Sequence, residues 1–414
     1  MSHSCRYCGS RLQHEVIDLG HQPPSNAYLT ECKLSQPEVT FPLRVFVCTS
    51  CWLVQLPMHA PAHELFTADY AYFSSTSTSW CQHARRFVSE AIKRLGLGGN
   101  SLVVEIASND GYLLQYVRQE GIPCVGIEPT QATAEAARLK GIDTIESFFG
   151  TVLAQQLLSQ GIRADLLVAN NVLAHVPEIN DFLAAIAQVI KPTGLASVEF
   201  PHLLSLLDGN QFDTIYHEHY SYLSLTTLKL MAADAGLMVF NAEQITTHGG
   251  SLRVWLARVG EAAAQNQTVR DKEEVEAILA KETTAGLMTL EAYSLCQERA
   301  LETKCALIEY LLDSRRAGRR VLAYGAAAKG NTLLNYAGIQ ADLLPAVADR
   351  APSKQGKWLP GSHIPVISPE QLEREAPDAL LVLPWNLIEE LRQQLPGHEL
   401  VTVIPSLKRW RPDT

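Results

Sequence analysis

Long runs of Lys and Arg are missing from this chain. Its 34 Lys and Arg are outnumbered by 44 Asp and Glu, giving a formal net charge of -10, and the basic residues nowhere form a run. Neutralising a phosphate backbone needs such runs, so nucleic acid is not expected as a partner; a few local donors still suffice for a small anionic ligand. Also missing is any stretch of about 18 uncharged apolar residues, the length that crosses a bilayer, so no membrane partner is expected. The opening Met1-Ser2-His3-Ser4-Cys5 lacks the apolar run of a secretory signal. Nine cysteines, five of them scattered, make no disulfide framework, and a reducing cytoplasm is the expected setting. What is present is a 47% hydrophobic, 19% charged composition over 414 residues. That suits a soluble globular protein too long for one ordinary core, so several domains are expected, in a monomer or weak dimer.

Four regions separate. Residues 1–68 are rich in Cys, His and Pro and read as a zinc-binding module. Within 69–265, apolar runs at 101–106, 124–127, 166–169 and 196–200 alternate with helical stretches and read as buried parallel strands of a doubly wound α/β sheet. Residues 266–316 read as one or two connecting helices, with Leu301, Ile308, Leu311 and Leu312 at helical spacing. Residues 317–414 repeat the α/β alternation, with strands expected at 321–324, 346–348, 379–383 and 400–404. The fold class is therefore α/β: a small zinc module, a central Rossmann-like unit and a C-terminal Rossmann-like unit.

Cys5-Arg6-Tyr7-Cys8 and Cys48-Thr49-Ser50-Cys51 are two C-x-x-C knuckles. Each sets two thiolates on a tight turn, and two such turns supply the four ligands of a structural zinc site. One knuckle alone would leave a redox dithiol open; two within the first 51 residues favour zinc. Four thiolates leave no open coordination position, so the metal is expected to be structural.

Glu105-Ile106-Ala107-Ser108-Asn109-Asp110-Gly111 ends a strand in small residues that let a ligand approach the sheet's carboxyl edge. Some twenty residues on, Gly126-Ile127-Glu128-Pro129 closes the next strand with a carboxylate suited to two ribose hydroxyls. NAD and S-adenosylmethionine both use that arrangement. Here the loop lacks the glycines a pyrophosphate needs, and acidic Glu105 and Asp110 suit a cationic donor, so S-adenosylmethionine is favoured. Ala107, Asn109, Gly111, Glu128 and Pro129 are its expected contacts. Asn170 and Asn171, after the fourth strand, join them, and His175 points toward the acceptor.

Tyr216-His217-Glu218-His219-Tyr220-Ser221-Tyr222 is the densest group of proton-transfer residues. Its histidines stand two apart, not the four that a helical zinc site needs, so acid–base work is the better reading. In the last region Tyr324-Gly325-Ala326-Ala327-Ala328-Lys329-Gly330-Asn331 turns from strand into helix. Small residues there, a helix N-terminus and Lys329 suit a diphosphate, with Asn331, Arg350 and Lys408 as further substrate contacts.

With the knuckles, the Glu105–Gly111 loop, the 216–222 cluster, the 324–331 turn and Tyr70-Ala71-Tyr72-Phe73-Ser74-Ser75, the chain resembles over its whole length the sugar C-methyltransferase family that makes branched deoxysugars, such as the C-3'-methyltransferases of tetronitrose and kijanose biosynthesis. The resemblance implies His219 as general base, with Tyr216, Glu218, His175 and Tyr72 around the reaction centre. It also implies a nucleotide-linked 4-keto-6-deoxysugar as acceptor and a C-terminal domain that helps hold it. Three competing readings stand beside this one. They are an NAD-dependent sugar oxidoreductase, an S-adenosylmethionine-dependent enzyme with a non-sugar acceptor, and a zinc-ribbon interaction protein with idle Rossmann-like domains.

Overall fold

The computed structural model of the chain describes residues 3–59, 73–260 and 266–411. The central sheet runs in the order β6 (Thr144–Ile145), β5 (Cys124–Ile127), β4 (Val103–Ile106), β7 (Ala164–Asn170), β8 (Ile190–Pro201), β11 (Ser251–Arg258) and β10 (Leu237–Ile245). From β6 to β8 the pairings are parallel, and β11 and β10 close the sheet antiparallel. β4 is buried at every position, as expected of a strand covered by helices on both faces. The chain leaves β4 toward β5 and β6, then returns to place β7 on the other side of β4. That reversal opens a crevice at the carboxyl ends of the two strands.

Helix α1 (Thr78–Leu95) covers this unit through Ala84, Phe87, Val88 and Ala91, one face of a helix at 3.6-residue spacing. Ser77 caps its start by accepting from Trp80 N–H, and Gly96 ends it in the left-handed conformation. α2 (Leu114–Gln119), α3 (Gln131–Leu139), α4 (Thr151–Ser159) and α5 (Ile179–Val189) are the crossovers; α6 (Leu203–Asp208) and α7 (Leu225–Asp234) follow β8.

The C-terminal sheet has the order β14 (Val366–Ile367), β13 (Val347–Ala348), β12 (Val321–Tyr324), β15 (Ala379–Val382), β16 (Leu400–Thr402) and β17 (Lys408–Trp410). All pairings are parallel except that of β17. Its own switch point lies between β12 and β15, and α10 (Ala328–Ala337) starts there. Two helices, α8 (Val269–Thr284) and α9 (Cys296–Arg316), join the units. The face that α9 buries differs from the expected one: Ala300, Thr303, Leu307, Leu311 and Ser314 are buried, whereas Leu301 is 49% exposed. Small and polar residues complete the buried face, and the expected apolar positions mark only part of it: Leu311 is buried, and Ile308 and Leu312 are half-buried.

The N-terminal module does more than carry cysteines. Its strands β1 (His14–Gln22), β2 (Phe41–Val47) and β3 (Val54–Gln55) form an antiparallel sheet whose fourth strand, β9 (Ser221–Tyr222), comes from the central unit, between α6 and α7. Val16, Ile17, Leu43 and Val45 share one core with Val321, Leu333 and Leu381 of the C-terminal unit. Cys5, Cys48 and Leu53 share another with Val104, Leu167 and Phe200 of the central unit. The module is thereby wedged between both α/β units. Among the described residues no helix is long and apolar enough to cross a membrane.

Candidate active site

The loop after β4 is shaped by three residues in the left-handed region: Ala107 at φ 51°, Asn109 at φ 49° and Gly111 at φ 74°. Such conformations cost energy for residues with a Cβ and persist where surrounding structure holds them. Glu128 is the brace: its two carboxylate oxygens accept from Asn109 N–H at 3.0 Å and Thr130 N–H at 2.9 Å. Asn109 Oδ1 accepts from Ser74 N–H at 2.8 Å. Asn171, at the end of β7, is also left-handed, at φ 54°.

These residues open onto a cavity of about 1470 Å³ that reaches from the β4 crevice to the C-terminal unit. Ala107, Asn109, Glu128, Pro129, Asn170 and Asn171 line it as expected. Gly111 and Glu105 do not. A Cβ on Gly111 would overlap Ile142 and approach Ala137, so this glycine serves packing behind the loop. Glu105 is 1% exposed, and burial pushes its carboxyl well above the usual carboxylate range. Asp110 is taken by Lys140 at 3.1 Å and by the Ser75 hydroxyl. Neither acid therefore lines the cavity, where the sequence reading expected both to face a cationic donor.

Fit to a donor is seen in Asn170, which is 7% exposed and lines the cavity, yet neither atom of its amide has a hydrogen-bond partner. A buried amide of that kind is complete only with a ligand or solvent against it. The left-handed loop, the braced Glu128 and this amide suit the polar groups of S-adenosylmethionine.

The 216–222 cluster enters the same cavity through Tyr216 and His219. His219 Nδ1 lies 2.8 Å from the Thr214 carbonyl, which can only accept, so Nδ1 carries the hydrogen. That leaves Nε2 as the basic nitrogen, accepting from the Tyr216 hydroxyl at 2.8 Å. Burial, and then the neighbouring His175, hold its pKa well below the ordinary histidine value. The ring of His175 meets that of His219 edge-on at 4.5 Å and is itself depressed to about 4 by desolvation. Tyr220 N–H donates to Ala174 O at 2.8 Å, tying the cluster to the turn after β7.

Glu218 is brought close but not into the cavity. It is 1% exposed, its carboxyl raised to about 7 by burial, and it accepts from Asn26 Nδ2 at 2.6 Å. Asn26 is the side chain that lines the cavity. Tyr72, with Tyr70, lies outside the described residues.

Lys329 reaches the cavity wall, held by Asn386 Oδ1 at 2.6 Å and lying 4.8 Å over the Trp385 ring. The other three expected substrate contacts do not reach it. Asn331 is buried with its amide on Ser25 O, Arg350 is exposed beside Gln394, and Lys408 sits on the outer strand over Trp410. The turn expected to cradle an anion is braced by protein at its start, while Ala327 and Ala328 line the cavity beside Lys329. Asp349 accepts from Ala326 N–H at 2.7 Å, Lys354 Nζ donates to Ala326 O at 2.7 Å, and a Cβ on Gly325 would overlap Pro384.

Two features escaped the sequence reading. His248 stands at φ 55° before Gly249 and Gly250, with Nε2 taking Asn171 Nδ2 at 3.1 Å and a pKa lowered to about 4 by desolvation. A histidine followed by two glycines was the available signal. Glu199, fully buried at the end of β8, is clamped by Arg253 at 2.6 Å and His83 at 2.9 Å. Burial would raise its pKa, but the two partners outweigh it and hold it below the usual range. Trp80 stacks on His83 at 4.9 Å beside them.

Away from the cavity, the four sulfurs of Cys5, Cys8, Cys48 and Cys51 lie within 4.8 Å of one another, with Cys5–Cys51 at 3.6 Å and Cys8–Cys48 at 3.5 Å. Four sulfurs at about 2.3 Å from a tetrahedral zinc stand about 3.8 Å apart, so the cage fits that ion.

Three family descriptions match the chain: "Putative zinc binding domain" over residues 5–66, "Methyltransferase domain" over 80–241 and "C-methyltransferase C-terminal domain" over 246–405. The chain is 34% identical over 387 residues to C-methyltransferase NovU of Streptomyces niveus, covering 94% of this chain and 90% of that protein. It is 28% identical over 100 residues, 24% of this chain and 40% of the other, to the ubiquinone biosynthesis O-methyltransferase of Bartonella quintana (strain Toulouse). Among solved structures, magnesium protoporphyrin IX methyltransferase (ChlM) from Synechocystis PCC 6803 with bound SAM matches at 16% identity and a TM-score of 0.34, over 43% of this chain and 79% of that one.

Proposed function

The chain belongs to the C-methyltransferase family that includes NovU, and on that premise we propose that it methylates a carbon beside the ketone of a nucleotide-linked 4-keto-6-deoxysugar, at C-3 of the sugar. It is an S-adenosylmethionine-dependent methyltransferase with a zinc-binding N-terminal module. Membership of the family sets aside the oxidoreductase and the idle-scaffold readings.

S-adenosylmethionine supplies an electrophilic methyl group when bound; Asn109, Glu128, Asn170 and Asn171 would hold it. Zinc on the four thiolates would cross-link the module without an open position for chemistry. That cross-link bears on the site through β3, which pairs with β9 directly after His219.

One observation carries the reading: His219 lines the cavity with Nδ1 held by the Thr214 carbonyl, which leaves Nε2, on a tyrosine hydroxyl, as the basic nitrogen. Carbon becomes nucleophilic only after its proton is removed, and a ketone beside it makes that removal feasible. A positioned neutral imidazole is the group for that step. Tyr216 covers Nε2 in the resting site; when its hydroxyl hydrogen turns to an oxygen that gains charge, the Nε2 lone pair is freed to take the carbon-bound proton. Glu218 acts at one remove, by orienting Asn26.

The test is to incubate the enzyme with a panel of nucleotide-linked 4-keto-6-deoxysugars and methyl-labelled S-adenosylmethionine, and to locate the label by mass spectrometry and NMR. A methyl on ring carbon beside the ketone is expected. A methyl on oxygen, or no product from any keto-sugar, would overturn the reading.

A further inference from the structure

Part of the cavity wall around His219 belongs to the C-terminal unit, which brings two cations there: Lys354 is held by Ala326 O and Asp349, whereas Lys329 is placed unusually. Lys329 begins α10, yet its ammonium is turned into the cavity and its hydrogen-bond partner is a neutral amide, Asn386 Oδ1, at 2.6 Å. The Trp385 ring lies beneath it at 4.8 Å, and that ring's Nε1–H donates to Asp213 Oδ2 at 2.7 Å. Asp213 is fully buried, its second oxygen is unpartnered, and burial raises its carboxyl to about 6. It is also the residue before Thr214, whose carbonyl fixes His219 Nδ1. One short turn, Phe212–Thr214, therefore steadies both the base and the cation.

A lysine meant for a diphosphate usually works as a point charge on a mobile stem. This one is clamped, desolvated and has donors to spare, since Asn386 uses one of its three N–H groups. We propose that Lys329 is a catalytic residue, whose ammonium takes the carbonyl oxygen of the acceptor and holds the negative charge that forms there when His219 removes the neighbouring carbon-bound proton. This assignment rests on the carbon-acid reading above. In that step the C–H electron pair becomes the C=C bond of the enolate, the carbonyl π pair moves to oxygen, and the proton goes to His219 Nε2. The ammonium stays protonated, and imidazolium and enolate charges appear together, so the net charge of the cavity is unchanged.

Electrostatics favour this placement. The field of Lys329 adds to burial and His175 in holding His219 neutral, and burial lowers Lys329 in turn. A base so depressed removes a carbon-bound proton only if the charge left behind is strongly stabilised. A cation fixed by Asn386 does that without reorganising during the reaction. As the enolate forms, it offsets the repulsion between Lys329 and the new imidazolium.

The experiment uses the full-length, zinc-loaded enzyme with S-adenosylhomocysteine in deuterated buffer. The probe is whichever keto-sugar nucleotide the wild type methylates fastest. Deuterium uptake beside the ketone is followed by mass spectrometry, with kcat and KM for methyl transfer measured in parallel. Lys329→Met is expected to slow exchange and kcat together by about 10²–10³-fold, the scale of losing one oxyanion donor, with KM little changed. Ethylamine added to Lys329→Ala is expected to restore part of the exchange. A raised KM with exchange and kcat intact would make Lys329 a binding residue and overturn the assignment, leaving His219 untouched. Wild-type exchange by His219→Asn, or none by wild type on any probe, would overturn the carbon-acid reading and this assignment together. If Lys329→Met does not fold, Asn386→Ala takes its place: kcat falls at constant KM if Nζ must be held, and an unchanged kcat overturns the proposal.

Discussion

Replacing Glu128 by glutamine changes one atom and one charge at the brace of the cofactor crevice. Both carboxylate oxygens already accept backbone N–H groups, from Asn109 at 3.0 Å and Thr130 at 2.9 Å, in a site only 4% exposed. A glutamine can satisfy one of these; its own NH2 must then face the other N–H, donor against donor. The variant thus loses one charge-assisted hydrogen bond and the negative charge available to the ribose hydroxyls. A bond of that kind is worth about 1.5–3 kcal/mol, which corresponds to about a 10- to 150-fold change in an equilibrium constant. The left-handed loop from Ala107 to Gly111 holds its shape through this brace, so the cost is expected in cofactor affinity. Calorimetric titration of S-adenosylhomocysteine into wild type and Glu128→Gln measures it, with melting temperature followed in both with and without the cofactor. The expected result is weakened binding and a smaller cofactor-induced rise in melting temperature. Equal affinities would make Glu128 an internal strut and refute its place in the donor site.

Removing zinc with a chelator, or substituting Cys48→Ser, is expected to lower the melting temperature and methyl transfer together, because β3 carries β9 and the catalytic turn; a zinc-free protein with native melting and rate would contradict this. His217 is 3% exposed, with a pKa lowered to about 4 mainly by burial. A buried neutral histidine leaves the unfolded chain binding more protons, so its contribution is intact above the ordinary value of about 6.5 and is lost as pH falls toward 4. Stability should drop by about 2 kcal/mol between about pH 7 and pH 5 on its account, and His217→Phe should flatten that slope in urea unfolding. His219 is depressed in the same direction. The acid limb of kcat/KM is therefore expected well below about 6.5, and a limb at or above that value would contradict a buried neutral base.

Much of the fold was legible because its signals are local. Continuous apolar runs placed β4, β5, β7, β12, β13, β15 and β16 to within about two residues. They also placed the end of β8, whose start at Ile190 lies six residues before the expected one. The knuckle spacing brought four sulfurs together. Glu128 stood out by its position at a strand end. What failed depends on burial or on partners distant in sequence. Glu105 and Asp110 read as charges beside a ligand, but one is enclosed by the core and the other is paired with Lys140. The small residues from Gly325 to Ala327 read as a cradle for an anion; Gly325 serves close packing against Pro384 and Ala326 is held by Lys354, and only Ala327 opens onto the cavity. The pairing of β9 with β3, which links the zinc module to the turn that carries His219, has no local signal at all. His248 had one, in its two glycines, and only its backbone angle and contact with Asn171 show what they are for.

Carbon methylation through His219 is tested most directly by one comparison of wild type with His219→Asn. Asparagine keeps a polar side chain near the Thr214 carbonyl but has no basic nitrogen. Methyl transfer to a nucleotide-linked keto-sugar is measured beside calorimetric affinity for S-adenosylhomocysteine. The expected result is a fall in turnover of about 10²–10⁴-fold, the range for a positioned general base, with cofactor affinity unchanged. A His219→Asn enzyme that methylates carbon at the wild-type rate would contradict the account.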